Sequence, residues 1–414
     1  MKIAFVTSRF PVLSDTPFLN QITGLIARGQ EVDIYSDQPQ EGVPYHPDVD
    51  RYDLLSRTTY VRRLAERRTD RIREVRETLR AAPPEERRML LRSLNPLVYW
   101  KRAWSLDQFR RTATYLPRRD YDICQCAFGY DGLKAVRVRR TGALGGRLVV
   151  SFRGADTTSY VARRHPLVYA RVFREASVLM PVSETLAELL RRMGAPAEKI
   201  HVHRTGIDLS RYPYRARRLE PGEPVRLVTV ARLVEKKGIE YALEALRRLL
   251  DGGTEFRYDV LGGGPLRAHL EARTAELGIA DRVTFHGWAS QADVRGALER
   301  CHLLLQPSVT AANGDQEGVP NVLKEAMAAG LPVVGTRHGG IPELIDDGVE
   351  GRLVPERSAE ALGAALAELV RHADRWPAIG AAGCARVERD YDIDKLNDRL
   401  LDIYERLVRT PERR

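Results

Sequence analysis

The sequence predicts an α/β protein with two domains, each built on a doubly wound parallel sheet, and three observations support this. The chain has 414 residues, which exceeds one ordinary hydrophobic core and fits two domains of about 200. Short apolar runs rich in β-branched residues alternate with longer helical patterns, as in right-handed βαβ units. Hydrophobic residues make up 43% and charged residues 29%, which is typical of a soluble globular protein.

The start of the chain and its hydropathy indicate the cellular compartment. The sequence from Met1 to Thr7 enters a strand at once and lacks the plan of a signal peptide. No apolar run approaches the roughly 20 residues that span a bilayer. We therefore expect a cytoplasmic protein. Free thiols are expected at all four cysteines, which form no zinc or redox motif: Cys124, Cys126, Cys301 and Cys384.

The first domain is expected to span residues 1–208. Its predicted strands are Lys2–Thr7, Glu31–Ser36, Asp122–Cys126, Arg147–Phe152, Val178–Val182 and Lys199–Arg204. Its predicted helices are Thr16–Ala27, Gly132–Arg140, Tyr169–Ala176 and Ser183–Met193, the last with Ser183 as its N-cap. The opening order of strand, loop, helix and strand puts the loop at 8–15 at the carboxyl edge of the sheet, where open α/β folds bind ligands.

Residues 51–120 form a basic segment within the first domain, predicted as helices broken at Pro83-Pro84, Pro96 and Pro117. The segment holds 19 Lys or Arg against 9 Asp or Glu, an excess equal to the net charge of +10 of the whole chain. It also carries Tyr60, Tyr99, Trp100, Trp104, Phe109 and Tyr115. This composition fits an anionic lipid surface or a lipid-phosphate acceptor, and equally a set of solvated helix faces. Nucleic acid is the least favoured partner, because no binding motif accompanies the charge.

A linker at 209–224, rich in Arg, Pro and Gly, is expected to lead into a second domain at 225–390. The predicted strands of this domain are Val225–Val230, Tyr258–Leu261, Val283–His286, Leu303–Gln306, Pro332–Thr336 and Arg352–Val354, with helices between them. Two further helices are predicted at about 376–389 and 393–409, and residues 391–414 are assigned to a crossover segment.

The stretch from Gln316 to Ile345 is the most informative part of the sequence. It is predicted as a loop, a helix that begins near Pro320, and a short strand after Gly330. Two acids, Glu317 and Glu325, lie eight residues apart, or roughly 12 Å at helical rise. Exposed N–H groups of the helix N-terminus lie between them and suit a diphosphate. The arrangement matches the span from the sugar to the ribose of an extended nucleotide-sugar.

The ordered string around these acids resembles the family 4 retaining glycosyltransferases of the GT-B fold. The matched residues are Glu317, Gly318, Glu325-Ala326-Met327-Ala328, Gly330, Pro332-Val333-Val334 and Gly339-Gly340-Ile341-Pro342-Glu343. The resemblance implies two Rossmann-like domains that face a deep cleft, with the final helices crossing back to the first domain. Relatives that build exopolysaccharides of the colanic acid type have a similar opening: Phe10-Pro11, Ser14-Asp15-Thr16 and Leu19-Asn20-Gln21.

The same resemblance assigns roles along the helix and its preceding loop. It implies that Glu325 binds the ribose hydroxyls and that Glu317 lies against the donor sugar. The amides that follow Gly318, notably those of Asn321 and Val322, should approach the phosphates.

Two further loops resemble motifs of the family. Ala231-Arg232-Leu233 followed by Lys237-Gly238 matches its diphosphate-binding motif, so Arg232 and Lys237 take the positions of the cations. Fixed cations and N–H donors stabilise a leaving diphosphate in a protein without a metal. Gly263 and Gly264, within a glycine-proline turn, resemble the turn that packs close to the nucleotide. We therefore expect no cofactor and no metal.

The first domain departs from the family pattern. Where relatives carry two histidines, this chain has Gln125 and Ala127, and a third histidine position is occupied by Arg153. Arg153 supplies a cation for an acidic donor or acceptor, or forms a structural pair with Asp156. The losses leave a catalytically silent scaffold subunit as an alternative to an enzyme.

The resulting functional prediction is a retaining glycosyltransferase that uses a UDP- or GDP-linked sugar. The expected acceptor is a saccharide or a lipid-linked molecule in cell-surface polysaccharide or glycolipid synthesis, reached from the inner face of the membrane. A small natural product as acceptor is the alternative within enzymes.

Overall fold

The computed structural model describes residues 1–12, 16–39 and 45–410 of the chain. The predicted loop at 8–15 and the predicted crossover segment at 391–414 therefore lie partly outside the described residues.

The first sheet has six parallel strands in the order β3-β2-β1-β4-β5-β6. These strands are β1 Lys2–Arg9, β2 Glu31–Gln38, β3 Thr58–Tyr60, β4 Ile123–Cys126, β5 Arg147–Phe152 and β6 Val178–Pro181. Side chains of β1 alternate between two buried clusters, with Ile3 and Phe5 on one face and Ala4 and Val6 on the other. Because helices cover both faces, the strand is a nearly continuous apolar run.

Helices of the first domain precede, connect and follow these strands. They are α1 Thr16–Ala27, α2 Asp48–Arg51, α3 Arg68–Ala81, α4 Pro84–Ser93, α5 Pro96–Tyr99, α6 Lys101–Trp104, α7 Asp107–Tyr115, α8 Gly129–Arg139, α9 Ser159–Ala162, α10 Ala170–Glu175 and α11 Glu184–Arg192. The predicted N-cap of α11 is confirmed, because the Ser183 side chain accepts a hydrogen bond from the Leu186 N–H.

The second sheet repeats this topology, with the order β12-β11-β10-β7-β8-β9. Its strands are β7 Val225–Val230, β8 Phe256–Leu261, β9 Val283–Gly287, β10 Leu303–Gln306, β11 Val333–Thr336 and β12 Gly351–Val354. The helices that follow are α12 Ile239–Asp251, α13 Arg267–Glu276, α14 Gln291–Arg300, α15 Asn321–Ala328, α16 Ala359–Arg371, α17 Trp376–Asp390 and α18 Ile393–Arg409. The prediction of two doubly wound parallel sheets is confirmed. In each sheet the strand order reverses next to the first strand, and ligands of such folds bind at this point.

Two predictions of individual elements were wrong. The basic segment was predicted to be helical, but Thr58–Tyr60 forms β3 and pairs in parallel with β2. Lys199–Arg204 was predicted as a strand, yet it makes two isolated backbone hydrogen bonds to β6, from His201 N to Leu179 O and from His203 N to Pro181 O. A run of β-branched and apolar residues favours extended backbone, but a ladder needs a partner along its whole length.

The two final helices pack against different domains. α17 remains with the second domain, where Gly380 packs against Gly330 and Gly383 against Met327. α18 crosses to the first domain, and its Leu400 and Tyr404 join the cluster beneath α1. The expected crossing is thus confirmed for α18 and wrong for α17. The close backbone approach at Gly380 holds α17 against the end of α15.

The segment at 209–224 packs against the second domain. The Arg217 guanidinium is buried and donates to Ala329 O at 2.9 Å and to Glu299 O at 2.8 Å. The last carbonyl groups of a helix have no partner within the helix, so a cation at this end stabilises it. None of the helices in the described ranges combines the length and the apolar character needed to span a bilayer.

Candidate functional site

The loop before α15 gathers two lysines around one carboxylate. Glu317 Oε1 lies 3.1 Å from Lys237 Nζ and 3.2 Å from Lys236 Nζ. Burial alone would raise the pKa of Glu317, but the two ammonium groups outweigh it and lower that pKa to about 2. Lys236 also pairs with Asp315, at 3.1 Å. The carboxylate is therefore ionised at neutral pH and fixed next to two cations.

The lysines reach this position because a short 3-10 turn follows β7. The turn, Glu235–Lys237, ends at Gly238, which has a φ of 59° and whose missing Cβ leaves room for the Pro307 carbonyl. Arg232 lies earlier in the same loop, and its side chain is exposed. Within the described ranges, no side-chain hydrogen bond or ion pair engages its guanidinium. Arg232 therefore provides an exposed cation in the same loop as the paired lysines, after the carboxyl end of β7.

A buried histidine fixes the backbone of Glu317. The Glu317 N–H donates to His338 Nε2 at 3.0 Å, and His338 Nδ1 lies 2.7 Å from Glu356 Oε1. Because Nε2 accepts, the ring proton is on Nδ1 and is donated to Glu356. The next loop adds a second tie, since Gly340 N donates to Gly318 O at 2.8 Å. The loop after β11 thus holds the loop that carries Glu317.

The first domain closes over this loop at Gly318. A Cβ added to Gly318 would lie 3.2 Å from Arg153 O and 3.4 Å from the Val182 side chain. Gly154 makes the reciprocal approach, because its added Cβ would lie 3.5 Å from Gln316 O. The tip of α15 therefore faces the first domain across a narrow gap, and glycine on both sides permits the approach.

Glu325 lies one turn into α15 and is partly buried. Burial raises the pKa of this carboxyl, and the nearby Tyr212 hydroxyl, Lys324 and Arg295 act in the opposite direction. Lys324 is itself fully buried and donates to Thr205 O at 2.6 Å and to Thr205 Oγ1 at 2.9 Å. The helix that carries Glu325 is thereby bonded to Thr205, near the end of the first domain.

Asn321 and Val322 form the first turn of α15, and Pro320 is its N-cap instead of its first residue. The Val322 side chain is buried, while Asn321 is partly exposed. An N-cap proline has no side-chain acceptor, and no side-chain hydrogen bond caps the N-terminus of α15. These N–H groups are thus available to an anion at the helix tip.

Gly263 and Gly264 pack under the loop that carries Arg232. An added Cβ at Gly264 would lie 2.5 Å from Leu233 O, and one at Gly263 would lie 2.6 Å from Trp288 Nε1. Leu233 N also donates to Gly263 O at 2.9 Å. Close packing against the backbone requires glycine at Gly264, whereas at Gly263 an added Cβ would meet only the side chain of the exposed Trp288.

The residues at the first-domain positions where relatives carry histidine make other contacts. Gln125 is buried and accepts a hydrogen bond from the Tyr404 hydroxyl of α18 at 2.8 Å. Ala127 is buried, and its carbonyl oxygen accepts from Arg153 Nε at 3.2 Å. Asp156 accepts from backbone N–H groups, including that of Arg153 at 3.0 Å. The Arg153 guanidinium therefore lies next to Ala127 and Gln21, and the Arg153 backbone oxygen faces Gly318.

Comparisons with known proteins agree with this fold. The model for "Glycosyltransferase Family 4" matches residues 18–211, and the model for "Glycosyl transferases group 1" matches residues 211–380. The amylovoran biosynthesis glycosyltransferase AmsK of Erwinia amylovora is 37% identical over 411 residues, 99% of this chain and all of the relative. The chain is a family 4 glycosyltransferase.

Other relatives and solved structures support the assignment. The putative colanic acid biosynthesis glycosyltransferase WcaL of Salmonella typhimurium is 34% identical to this glycosyltransferase over 405 residues, covering 97% of the chain and 99% of the relative. The crystal structure of Anabaena Alr3699/HepE in complex with UDP-glucose has a TM-score of 0.70 at 16% identity, covering 98% of this chain and 100% of that one. The structure of WaaG, involved in lipopolysaccharide biosynthesis, has a TM-score of 0.62 at 19% identity, covering 97% and 99%. The GT-B fold and the enzyme class predicted from the sequence are confirmed.

The structure of the glycosyltransferase brings most of the predicted site residues to one place. Glu317, Lys237, Gly318 and the first turn of α15 are in direct contact or adjacent, and Arg232 follows the same strand as Lys237. Their roles toward a donor stay predictions. Among the described residues no group of three or more His, Cys, Asp or Glu side chains could hold a metal ion.

Sequence reasoning missed four residues that this site uses: Lys236, Lys324, His338 and Glu356. Lys236 had a signal, because it is adjacent to Lys237 in a two-lysine turn. His338 also follows a strand and precedes the paired glycines, which places it at the carboxyl edge. Lys324 and Glu356 carried no signal in the sequence, since their contacts are with residues more than 15 positions away.

Proposed function

We propose that this glycosyltransferase transfers a sugar from a UDP- or GDP-linked donor to a saccharide or lipid-linked acceptor in cell-surface polysaccharide synthesis. One observation carries the proposal: the uncapped N-terminus of α15 lies beside Glu317 and the lysine pair, facing the first domain. The names of the relatives in amylovoran and colanic acid biosynthesis support the polysaccharide context.

Each group in this site has a task suited to its chemistry. The N–H groups of Asn321 and Val322 would bind the diphosphate, and Arg232 and Lys237 would neutralise the charge that develops on the leaving phosphates. Glu325 would accept hydrogen bonds from the ribose hydroxyls. Glu317, ionised and held by His338, would accept from hydroxyls of the donor sugar. The acceptor attacks on the face that the diphosphate leaves, and the leaving phosphate takes the acceptor proton, so the anomeric configuration is retained. No metal is required in this scheme.

The loss of the first-domain histidines favours a second candidate, a catalytically silent subunit that retains a donor fold. The Arg153 guanidinium donates to the carbonyl oxygen of Ala127, the position at which relatives carry the second histidine. In an active enzyme its cation would suit an acidic donor or acceptor. Such a silent subunit would bind a nucleotide-sugar without turning it over. A panel of UDP- and GDP-sugars, assayed for both a rise in melting temperature and release of nucleotide, separates the two candidates.

Two substitutions test the site itself. Glu325→Ala and Lys237→Ala should each reduce turnover by roughly 100-fold, because each removes a group that binds the donor or stabilises the leaving diphosphate. Circular dichroism and melting temperature should show a folded protein in both cases. Glu360→Ala on α16 and Lys395→Ala on α18 are matched controls with exposed side chains. Wild-type activity in either site variant would refute the assignment.

The proposed location is the inner face of the cytoplasmic membrane, with the enzyme attached peripherally. The reason is the acceptor, since a lipid-linked saccharide is presented at a membrane surface. Fractionation of cells that produce the full-length chain tests this location. Release of the enzyme from the membrane fraction by salt would support it, and a uniformly soluble distribution at low salt would contradict it.

A further inference from the structure

A strongly exposed apolar surface lies in the basic segment of the first domain. We define the 87–106 surface as the exposed side of residues 87–106, which include the end of α4 and all of α5 and α6. Three of its side chains project into solvent almost completely, since Leu97 is 95% exposed, Trp104 79% and Trp100 73%. Leu91 and Val98 add two half-exposed apolar side chains on the same stretch. A large apolar group on a surface marks an interaction site when several lie together.

The residues between these side chains pack into the first domain. Tyr99 and Ala103, each one position before a tryptophan, are buried. Tyr99 Oη donates to Arg137 O on α8 at 3.4 Å, and Gln108 Nε2 donates to the same oxygen at 3.2 Å. The two tryptophans are four residues apart, with Trp100 immediately before α6 and Trp104 at its end. Both rings point outward because the residues before them are anchored inward.

The backbone on either side of α6 adopts an unusual conformation. Trp100 has a φ of 45° and Leu106 a φ of 59°, a region in which bulky L-residues are rare. Strain of this kind persists where the surrounding structure enforces it, and it is concentrated at functional sites. The chain thus retains a conformation that exposes a tryptophan at the cost of local strain.

The charge of the same stretch has one sign. Residues 87–106 contain five Lys or Arg and no Asp or Glu. The cations next to the apolar side chains, Arg92, Lys101 and Arg102, are exposed, and Arg102 also pairs with Asp107 at 3.2 Å. Exposed tryptophan and leucine surrounded by cations is the pattern of a segment that lies in the interface of an anionic bilayer.

We propose that the 87–106 surface docks the enzyme on an anionic lipid bilayer, with Leu97, Trp100 and Trp104 entering the headgroup region and Arg92, Lys101 and Arg102 contacting lipid phosphates. A second copy of this chain is a poorer occupant, because a two-fold contact would place five cations against five cations. The proposal deepens the peripheral location proposed above by naming the contact surface, and it is independent of the donor chemistry.

The first test is co-sedimentation of the full-length protein with vesicles. Phosphatidylcholine vesicles that contain phosphatidylglycerol should bind the protein, pure phosphatidylcholine vesicles should not, and binding should weaken as salt is added. The affinity of the double variant Trp100→Ala/Trp104→Ala for these vesicles should be lower by a factor of roughly 10 or more. Trp288→Ala is its matched control, because Trp288 is 75% exposed but lies in the second domain. The control should bind vesicles as the wild type does.

The charge contribution has its own control. Arg92→Gln/Lys101→Gln/Arg102→Gln should lose the preference for anionic vesicles. The control is Arg371→Gln/Arg375→Gln/Arg389→Gln, which removes three exposed cations from the second domain. This control should keep the preference for anionic vesicles. Melting temperatures of all variants identify any that fail to fold, and for those Leu97→Glu provides a milder substitution at the most exposed side chain.

A fluorescence measurement places the tryptophans at the bilayer. The chain has four tryptophans, and Trp376 is buried. In a Trp288→Phe protein, brominated lipids should quench Trp100 and Trp104, whereas a Trp100→Phe/Trp104→Phe protein should show no quenching.

Three results would overturn the proposal: no preference for anionic vesicles, equal binding by the tryptophan double variant, or sedimentation velocity showing that this variant converts a dimer to a monomer. Thermal shift with UDP and GDP, measured without vesicles, tests the donor site separately, so the two proposals can fail independently.

Discussion

At the scale of the residue, Lys324 of α15 joins the second domain to Thr205, near the end of the first domain. Its ammonium group donates to Thr205 and lies 5.4 Å from the centre of the Tyr391 ring, which follows α17. Burial lowers the pKa of Lys324 to about 7, and the attraction of Glu325 only partly offsets this. Arg153, across the gap, lowers the pKa further. A lysine in this environment titrates close to neutral pH.

The sign of the resulting pH dependence follows from linkage. The unfolded chain binds a proton at Lys324 up to a pKa of 10.5, but the folded chain releases it near pH 7. Between these values the unfolded state binds more protons, so the free energy of unfolding rises with pH. Relative to Lys324→Met, which cannot titrate, the wild type should gain on the order of 1–4 kcal/mol between about pH 7 and pH 10. Urea unfolding curves at a series of pH values measure this difference.

Lys395→Met is the control for that series, because Lys395 is exposed on α18. Its difference from the wild type should not change with pH over the same range. A pH-independent difference for Lys324→Met as well would show that Lys324 does not titrate near neutrality.

At the scale of elements, a helix of the first domain is capped by a carboxylate of the second. The backbone N–H groups of Glu184 and Thr185, in the first turn of α11, donate to Glu343 at 2.8 and 2.7 Å. The Thr185 hydroxyl donates to the same carboxylate at 2.8 Å. Glu343 is anchored in turn, because its carbonyl oxygen accepts from Arg386 at 2.9 Å. A negative charge at a helix N-terminus is favourable, and here the interaction joins the two domains.

Removal of the Glu343 cap should weaken the contact between the two domains. Glu343→Ala should lower the free energy of unfolding by about 1–2 kcal/mol and increase the radius of gyration without ligand, because the domains lose a shared contact. Small-angle scattering and urea unfolding measure the two effects. Ser183→Ala removes a cap of the same helix from within the first domain, so it should cost about 1 kcal/mol and leave the radius of gyration unchanged. An unchanged radius of gyration for Glu343→Ala would show that this cap does not hold the two domains together.

At the scale of the whole molecule, α18 fastens the second domain to the first. Arg28 Nε, in the turn just after α1, donates to Asp398 Oδ1 at 2.6 Å, and Gly24 of α1 leaves room for the Asn397 side chain. Deeper in the interface the Tyr404 hydroxyl donates to Gln125, whose amide nitrogen donates to Ser151 Oγ at 2.8 Å. The glutamine that replaces a family histidine is therefore part of the attachment of α18.

Loss of that buried hydroxyl tests the attachment. Tyr404→Phe should lower the free energy of unfolding by about 1–3 kcal/mol, since the Gln125 oxygen would be left buried without a donor. Tyr214→Phe is the control, because the Tyr214 hydroxyl donates to Pro377 O at 3.3 Å but the residue is 42% exposed. Water can replace this bond, so the free energy of unfolding should change by no more than about 0.5 kcal/mol. Chemical denaturation of both variants compares them. Equal stability for Tyr404→Phe and the wild type would show that this bond contributes nothing.

The sequence predicted what depends on local pattern. Strands such as Lys2–Arg9 and Val225–Val230 were recognised because a strand buried on both faces is a continuous apolar run. Glu317, Lys237 and the tip of α15 could be located because strand ends in a parallel sheet share one edge. The three-residue strand β3 escaped prediction, because an edge strand of that length has too few residues to show a period.

The sequence alone indicated the two sheets, through their periodicity, and the family, through the resemblance carried by the ordered motif from Glu317 to Glu343, because both depend on residues close together in the chain. Only the tertiary structure decided how Glu317 is held by His338, that Lys324 reaches Thr205, that Glu343 caps α11, and which apolar side chains of the basic segment remain exposed. These contacts join residues from 18 to more than 150 positions apart. They depend on how the sheets and helices pack, and no local pattern records that packing.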